Sequence, residues 1–245
     1  MTVTLTILRY RKRFIIFALL AMALFRLPLW FSKKISFWKL LGSGRNGSFD
    51  RHPDWQQWGI LSVQSSKWEV EGAAVLSEGG YPVTRVLYGS FIAKWIRLFN
   101  CEIWTVILEP IEGHGSWDGK KVFGELPPKT DYEGQIAVLT RATIRFSRLK
   151  NFWSNVGPVA SLMPGAKGLS CSLGIGEVPF VKQATFTIWE SKESMKNFAY
   201  QMKEHTEVIQ KTRQEGWYSE EMFTRFKVIA TNGTIRGIDP LPGKL

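Results

Sequence analysis

The chain has 245 residues, 44% of them hydrophobic and 22% charged, a composition that indicates a globular protein and excludes a disordered or collagen-like chain. Its formal net charge of +11 suits a nucleic acid, an anionic membrane surface or an acidic protein. Because no nucleic-acid-binding motif accompanies this charge, we expect no nucleic acid partner. Two widely separated cysteines, Cys101 and Cys171, argue against a disulfide framework, a zinc site and an iron–sulfur cluster, and favour a reducing cytoplasm.

The first predicted elements are a strand at residues 2–10 and an apolar helix at residues 13–27. The strand alternates threonines with Val, Leu and Ile, and the helix contains an unbroken apolar run from Phe14 to Phe25. A basic segment before this run resembles a signal peptide, but no small-residue cleavage site follows it. The run is shorter than the roughly 20 residues of a transmembrane helix. We therefore predict a buried core helix, with a helix that dips partly into a membrane and a true span as alternatives.

The remaining predicted elements complete two copies of one order. They are strands 35–43 and 55–65, helix 84–99 and strand 101–111, followed by strand 136–146, helix 149–163, strands 169–176 and 182–190, helix 191–215 and strand 222–231. The chain therefore has the order βαββαβ twice, which is the ferredoxin-like order.

Short sequence similarities support a duplication. Leu8-Arg9-Tyr10 aligns with Ile144-Arg145-Phe146, and the segment 115–119 (GSWDG) aligns with 233–237 (GTIRG). We predict an N-terminal half at residues 1–118, a linker at 119–134 and a C-terminal half at 135–245. If helices cover one sheet face in each half, the bare faces must be buried against each other. The predicted fold is α+β, with two tandem ferredoxin-like halves packed within one chain as a dimeric α+β barrel normally is between two.

Motifs that would identify a catalytic class are scarce. The serine-hydrolase, zinc-protease, phosphate-loop and dinucleotide-binding patterns are absent in their required contexts, and the glycine-rich run 42–47 is typical of a turn. His52 and His114 are predicted in loops. His205 differs, because at about 100° per residue it falls on the apolar stripe of the predicted 191–215 helix, within about 20° of Phe198.

A buried neutral histidine needs partners for its ring nitrogens. For His205 two interpretations stay open: a core histidine that is hydrogen-bonded to the backbone, and a ligand of a metal or a haem iron. The stripe carries no second histidine or carboxylate at ligand spacing, so a zinc or non-haem iron site with several ligands is poorly supported. A single protein ligand is sufficient for haem.

Several blocks of the sequence resemble the spheroidene monooxygenase family. The blocks are the segments 37–44 (FWKLLGSG), 139–143 (LTRAT), 174–179 (GIGEVP), 183–189 (QATFTIW) and the C-terminal region from His205 to Phe226. The resemblance implies a monooxygenase that binds haem b and uses O₂ and reduced ferredoxin to introduce a keto or hydroxyl group at C-2 of acyclic carotenoids such as spheroidene. It also implies kinship with haem proteins of the dimeric α+β barrel type, in which a helix of the C-terminal half carries the proximal histidine.

These implications fix the predicted site. His205 matches the position of the haem ligand, and Arg141, on one strand face with Leu139 and Thr143, is the candidate donor to oxygen on the distal side. A surface ion pair is the alternative for Arg141. Phe186 and Trp217 are expected among the aromatic residues that line the haem and polyene pocket, with core packing as their alternative.

The resemblance also gives the basic surface and the apolar first helix a role. Both suit a cytoplasmic protein that is peripheral to the inner membrane, because a carotenoid resides in the membrane, and a basic surface would also dock an acidic ferredoxin. Two other classes stay open. They are a cofactor-free monooxygenase of the α+β barrel type and a non-catalytic carrier of haem or another ligand.

Overall fold

The computed structural model describes residues 1–65, 80–201, 211, 212 and 214–242. The strands are β1 (Val3–Arg9), β2 (Ile35–Gly44), β3 (Pro53–Gln64), β4 (Glu102–Gly115), β5 (Ile136–Ile144), β6 (Leu169–Val178), β7 (Lys182–Trp189) and β8 (Tyr218–Gly233). The helices are α1 (Ile15–Leu24), α2 (Arg26–Trp30), α3 (Gly80–Leu98), α4 (Leu149–Leu162) and α5 (Lys192–Gln201). Each predicted strand and helix overlaps an observed one, although residues 202–210 and 213 of the predicted helix 191–215 lie outside the described residues.

The protein is α+β, as predicted, and its strands pair in antiparallel fashion. Their hydrogen-bonded order is β1-β3-β2-β6-β7-β5-β8-β4, a closed barrel. Two compact units share these strands: the first comprises Met1–Leu41, Asp54–Glu109 and Val228–Leu245, and the second comprises Gly42–Pro53 and Pro110–Lys227. The division into halves at residues 1–118 and 135–245, with a linker at 119–134, stays a prediction.

In the first unit, β1 is the central strand, and it pairs along its whole length with β3 and β4. Its residues from Val3 to Leu8 are buried. A continuous apolar core joins these strands to α1, α2 and α3. Buried hydroxyl groups are paired within it: the Tyr88 hydroxyl lies 2.8 Å from that of Thr6 and 3.2 Å from that of Thr4. α3 therefore covers the β1 face with both apolar and polar contacts.

The apolar segment of residues 13–27 is not the buried core helix that we predicted. Only a narrow stripe of α1 and α2 is buried, formed by Ala18, Ala21, Phe25 and Leu29. Outside this stripe large apolar side chains face outward, and Trp30 is 77% exposed. The residues Lys12–Trp30 are long and apolar enough to cross a membrane by length and composition alone. Because the helix is apolar on all sides, its sequence carried no period to show which face would be buried.

In the second unit, β5 is the central strand, paired with β7 and β8, and β6 continues the sheet beyond β7. Two separate apolar clusters lie on its helix-facing side. One joins Val138 of β5 to α5, and the other joins Ile144 of β5 to α4. Between these positions Thr140 is exposed in the middle of the central strand. As far as the structure describes the chain, α4 and α5 therefore leave Thr140, in the middle of this sheet face, exposed.

The aligned segments 115–119 and 233–237 form the same turn. Their first glycines, Gly115 and Gly233, have φ values of 87° and 92°. The next position donates its backbone N–H across to the neighbouring strand, from Ser116 to Glu221 and from Thr234 to Ile103. The similarity between the sequences of segments 115–119 and 233–237 thus extends to the backbone conformation and the hydrogen bonds of the turn.

Candidate functional site

A cavity of about 920 Å³ opens in the second unit, between the helices and the sheet. Thr140 of β5, Thr185 of β7 and Phe223 of β8 contribute its floor, and Phe152 of α4 and Met195 of α5 contribute its other side. Cofactor and small-molecule sites are typically about 300–1,000 Å³ and mainly apolar, with a few polar groups. The cavity has that size and character, so it is the candidate binding site.

Strand pairing explains why the floor is polar. Thr140 pairs with Thr185 on one side and with Phe223 on the other, which brings two hydroxyl side chains and one aromatic ring together. Side chains alternate along a strand, so Val138, Thr140 and Ala142 share the helix-facing side of β5. Residues in the middle of a central strand are usually buried, whereas Thr140 is exposed. This exposure indicates a surface that is kept open for a ligand.

His205, the predicted haem ligand, lies outside the described residues. The chain on both sides of it can be placed. Ala199 of α5 precedes it and Thr212 follows it, and both residues line the cavity. The predicted ligand therefore belongs to a segment whose two ends reach the same cavity.

Arg141 is buried, with a side chain that is 1% exposed, so it is not the surface arginine considered as its alternative role. Its Nη1 donates to Glu220, and its Nη2 lies 3.4 Å from carboxylate oxygens of Asp118 and Glu177. The guanidinium also lies over the Trp117 ring, 5.4 Å from the ring centre. Three carboxylates thus compensate one buried cation.

Arg141 also contributes to the cavity lining. Strand alternation places its side chain on the face of β5 opposite to Thr140. Its Nε atom is buried and has no hydrogen-bond partner among the described residues. Of the guanidinium donors, Nε is therefore the one that no carboxylate engages.

Glu220, one of the three carboxylates around Arg141, accepts several hydrogen bonds. Burial alone would raise its pKa, but hydrogen bonds from the Gly119 N–H, the Ser116 hydroxyl and Arg141, together with the Arg141 charge, lower that pKa to about 2. The Glu220 side chain therefore stays ionised at neutral pH and fixes the Arg141 guanidinium in place.

The two aromatic residues predicted for the pocket are in packed interior positions. Phe186 is 1% exposed and pairs with Leu139 and Leu173 across the sheet. Trp217 is fully buried, and its indole N–H donates to Glu215 over 2.8 Å. Neither side chain belongs to the cavity lining. Trp217 supports the cavity indirectly, because it packs against Phe152, which does line it.

A second buried charge cluster borders the cavity. Glu112 of β4 accepts hydrogen bonds from Lys192 of α5 over 2.9 Å and from the Thr130 N–H over 3.0 Å. Its other oxygen pairs with Arg225 of β8. Glu112 and Arg225 both line the cavity. The sequence did not predict this cluster, because its members are 33 to 113 residues apart along the chain.

The other titratable residues considered as candidates are His52, His114 and Cys171. His52 Nδ1 lies 2.9 Å from an Asp50 carboxylate oxygen on the surface, and His114 is exposed, lines the cavity and stacks on Phe223. Cys171 lines the cavity, but burial raises its pKa to about 12, which keeps the thiol protonated at neutral pH. Among the described residues, no group of three or more His, Cys, Asp or Glu side chains could hold a metal ion.

No protein-family model matches the chain, but three curated proteins are similar to it over most of its length. The chain is 35% identical over 244 residues to a spheroidene monooxygenase of Cereibacter sphaeroides, covering 98% of this chain and 70% of that protein. It is 31% identical over 225 residues to a spheroidene monooxygenase of Rhodobacter capsulatus, with coverages of 91% and 88%. A spheroidene monooxygenase of Rubrivivax gelatinosus is 33% identical over 201 residues, with coverages of 82% and 72%.

Solved structures with the same fold include an aldoxime dehydratase. It aligns with a TM-score of 0.58 and 10% sequence identity, covering 93% of this chain and 80% of that one. An aldoxime dehydratase in complex with butyraldoxime aligns with a TM-score of 0.59 and 8% identity, covering 93% and 79%. At such low identity the likeness shows a common fold and nothing of the reaction.

Proposed function

The chain belongs to the spheroidene monooxygenase family, and we propose that it is a carotenoid monooxygenase whose reaction takes place in the cavity of the second unit. The observation that carries this proposal is the uncovered sheet floor around Thr140, beneath a cavity of about 920 Å³. The finer proposal is that haem b, O₂ and reduced ferredoxin serve the oxidation of acyclic carotenoids such as spheroidene at C-2. The repeated element order further supports an origin from two ferredoxin-like halves.

The described residues fit a haem in three respects. The cavity has the volume of a cofactor site, its walls include apolar side chains such as Met195 and Phe152, and a buried arginine, Arg225, borders it. We propose that His205 would hold the haem iron, because the described residues before and after it line this cavity. When bound, haem would supply an iron at which O₂ is activated.

The residues of the chain would bind, orient and shield the reactants. Phe152, Phe223 and Met195 offer apolar contacts to a polyene and exclude water, and Thr140 and Thr185 can orient a polar end group by hydrogen bonds. Arg141 is the proposed donor to oxygen, through its buried Nε, although strand alternation places its side chain on the face of β5 opposite to Thr140. The competing role for Arg141 is to hold the carboxylates of its cluster together.

The proposed reaction consists of one or two rounds of hydroxylation at one carbon atom. One round converts a CH₂ group, O₂, two electrons and two protons into a CHOH group and one water, with the electrons coming from reduced ferredoxin. A second round at the same carbon gives a gem-diol, which loses water to leave the keto group. A protein of net charge +11 suits an acidic electron donor of this kind.

The test of haem binding is the absorption spectrum of the full chain reconstituted with haem, compared with His205→Ala. We expect a Soret band that shifts on reduction and on CO addition in the wild type, and that is lost or strongly altered in the variant. His52→Ala, at an exposed position outside the cavity lining, is the matched control and should leave the spectrum unchanged. A spectrum that is unaffected by His205→Ala would remove His205 from the proposal.

Turnover separates the remaining classes of function. With ferredoxin, its reductase and ¹⁸O₂, spheroidene should gain one labelled oxygen atom in the hydroxylated product. Oxidation by protein that contains no haem would instead identify a cofactor-free monooxygenase. Haem binding without turnover of any acyclic carotenoid would identify a carrier.

We also propose that the protein is cytoplasmic and contacts an anionic membrane through α1 and α2. Ile16 is 70% exposed, Leu27 62% and Phe31 77%, which is unusual for large apolar side chains on one short segment. The first 49 residues contain no Asp or Glu, and exposed basic residues flank the apolar face at residues 11–13, 26, 33 and 34. Each basic residue near an anionic surface contributes about 1 kcal/mol to binding.

Vesicle sedimentation tests this contact. The full chain should bind phosphatidylglycerol vesicles more strongly than phosphatidylcholine vesicles, and added salt should weaken the binding. The double variant Trp30→Ser, Phe31→Ser should bind at least about tenfold more weakly. Phe146→Ser, which alters an apolar residue that is 80% exposed in the second unit, is the control. Binding that is indifferent to salt and lipid charge would contradict the proposal.

A further inference from the structure

The cluster of Glu112, Lys192 and Arg225 is nearly free of solvent. The Glu112 side chain is 4% exposed, that of Lys192 7% and that of Arg225 11%. Lys192 Nζ donates to Glu112 over 2.9 Å and to the Thr130 carbonyl over 2.7 Å. Glu112 thus has both oxygens engaged, one by Arg225 and the other by Lys192 and the Thr130 N–H.

The charges of this cluster do not cancel. Two cations face one carboxylate, which leaves a net charge of +1 in a largely buried position. Arg225 Nε is also buried and has no hydrogen-bond partner among the described residues, and Arg225 lines the cavity. Buried charges and buried donors are normally paired, because burial removes the water that would otherwise satisfy them. Among the residues that the structure describes, the site therefore lacks one anionic acceptor on its cavity side.

We propose that Arg225 binds a carboxylate of the ligand that occupies the cavity, with Lys192 and Glu112 as the residues that position it. The inference rests on the proposed function, in which haem b is that ligand. Haem b carries two propionate carboxylates on one edge of an otherwise apolar macrocycle, whereas an acyclic carotenoid hydrocarbon chain carries none. Arg225 would thus select the tetrapyrrole and fix which edge of it faces β8.

The position of the cluster supports this assignment. Lys192 begins α5, and Met195 and Ala199 of the same helix line the cavity. Phe223, two residues before Arg225 on β8, lies on the cavity floor, with the Arg225 guanidinium 4.8 Å from its ring centre. The unpaired donor and the apolar wall therefore meet at one end of the cavity, as a ligand with an apolar body and an anionic edge requires.

The experiment compares free acids with their esters. Haem and iron-free protoporphyrin IX are titrated into the full chain beside their dimethyl esters, with absorption and intrinsic fluorescence quenching as readouts. Wild type should bind each free acid about tenfold or more tightly than its ester. Arg225→Met should bind the free acids about tenfold more weakly and the esters within about twofold of wild type.

Matched variants separate recognition from folding. Arg225→Met leaves Glu112 without one of its buried partners, so the double variant Glu112→Gln, Arg225→Met is measured as well and should show the same loss of discrimination. Glu112→Gln alone raises the net charge of the cluster and should keep or increase the preference for the free acid. Lys196→Met, on the exposed side of the same helix, should bind like wild type.

Each outcome has a distinct meaning. Equal affinity of wild type for acid and ester, with a Soret band that His205→Ala abolishes, would overturn the carboxylate site and leave the proposed function intact. Equal weakening of acid and ester binding in both Arg225 variants would overturn it too, by showing a structural role. If wild type bound neither haem nor protoporphyrin, the proposed function would fail together with this inference.

Discussion

Thr4 and Thr140 each lie four residues before an aligned sequence segment, which begins at Leu8 in one half and at Ile144 in the other, yet their surroundings differ. Thr4 is fully buried, with its hydroxyl 2.7 Å from Ser62 and 3.2 Å from the Tyr88 hydroxyl of α3. Thr140 is exposed and lines the cavity. The same residue type on a central strand is covered by a helix in the first unit and left open in the second.

The difference shows how one order of elements serves two purposes. In the first unit, a continuous apolar core and paired hydroxyl groups fill the space beneath α3. In the second unit, two smaller apolar clusters flank the cavity. These clusters stabilise the packing of the helices on the sheet at its two ends, and the space between them can bind a ligand. A binding site of this kind needs no sequence motif, because a cavity forms wherever side chains do not fill the space between helices and sheet.

The largest expected effect concerns the turn that both aligned segments share. Gly115→Ala and Gly233→Ala should each lower the free energy of unfolding by about 3 kcal/mol or more, measured by urea denaturation. At both positions φ is positive, and a Cβ atom would overlap a backbone carbonyl oxygen, that of Glu221 or that of Ile103. Gly119→Ala, at positive φ but in open space, is the control and should cost about 1 kcal/mol. A large loss at only one of the two glycines would break the equivalence of the turns.

The next largest effect is on the pH dependence of stability, and it arises from Glu220, the carboxylate that pairs with the buried Arg141 of the second unit. The pKa of Glu220 is about 2 in the folded protein against an ordinary value of 4.5. Because the folded pKa is the lower one, its stabilising contribution of about 3 kcal/mol is complete above pH 4.5 and is lost as the pH falls toward 2. Glu220→Gln should flatten the dependence of the free energy of unfolding on pH in that window. Glu133→Gln, at an exposed site, should not; equal slopes for both variants would refute the assignment.

The smallest effect tests the two threonines directly. Thr4→Val keeps the shape of the side chain but removes a buried hydroxyl from its network, and it should destabilise the protein by about 1 kcal/mol. Thr140→Val should change stability by less than about 0.5 kcal/mol, because its hydroxyl faces the open cavity. Thermal and urea unfolding of both variants would sharpen the comparison, and equal losses would contradict it.

Much of this fold could be predicted from the sequence, and the reasons for the failures are physical. Among the described residues, alternation and helical periodicity located most strands and helices, since most of these elements have one face that differs from the other. The segment 13–27 has no such contrast, so its exposed face was missed. The partners of Arg141 are Asp118, Glu177 and Glu220, which strand pairing within the second unit brings near it, and no local pattern connects them.

The candidate site was predictable in kind more than in position. The resemblance pointed to the family that the comparisons show, but the predicted aromatic residues Phe186 and Trp217 lie in packed interior. Aromatic residues in a core and in a pocket look alike in a sequence, because both favour strand positions with the same alternation. The exposure of Thr140 depends on which residues of α4 and α5 are absent above it, and that is a tertiary property.

If the cavity over Thr140 binds the cofactor, a substitution that fills it should weaken haem binding, and a haem titration of wild type and Thr140→Trp measures this. The indole would fill the floor of the cavity from an exposed position, so the variant should keep its circular dichroism spectrum and its unfolding midpoint. The account predicts one haem per chain in wild type, with a Soret band, and at least about a tenfold weaker affinity in Thr140→Trp. Haem affinity unchanged in a folded Thr140→Trp protein would contradict the claim and place the site elsewhere.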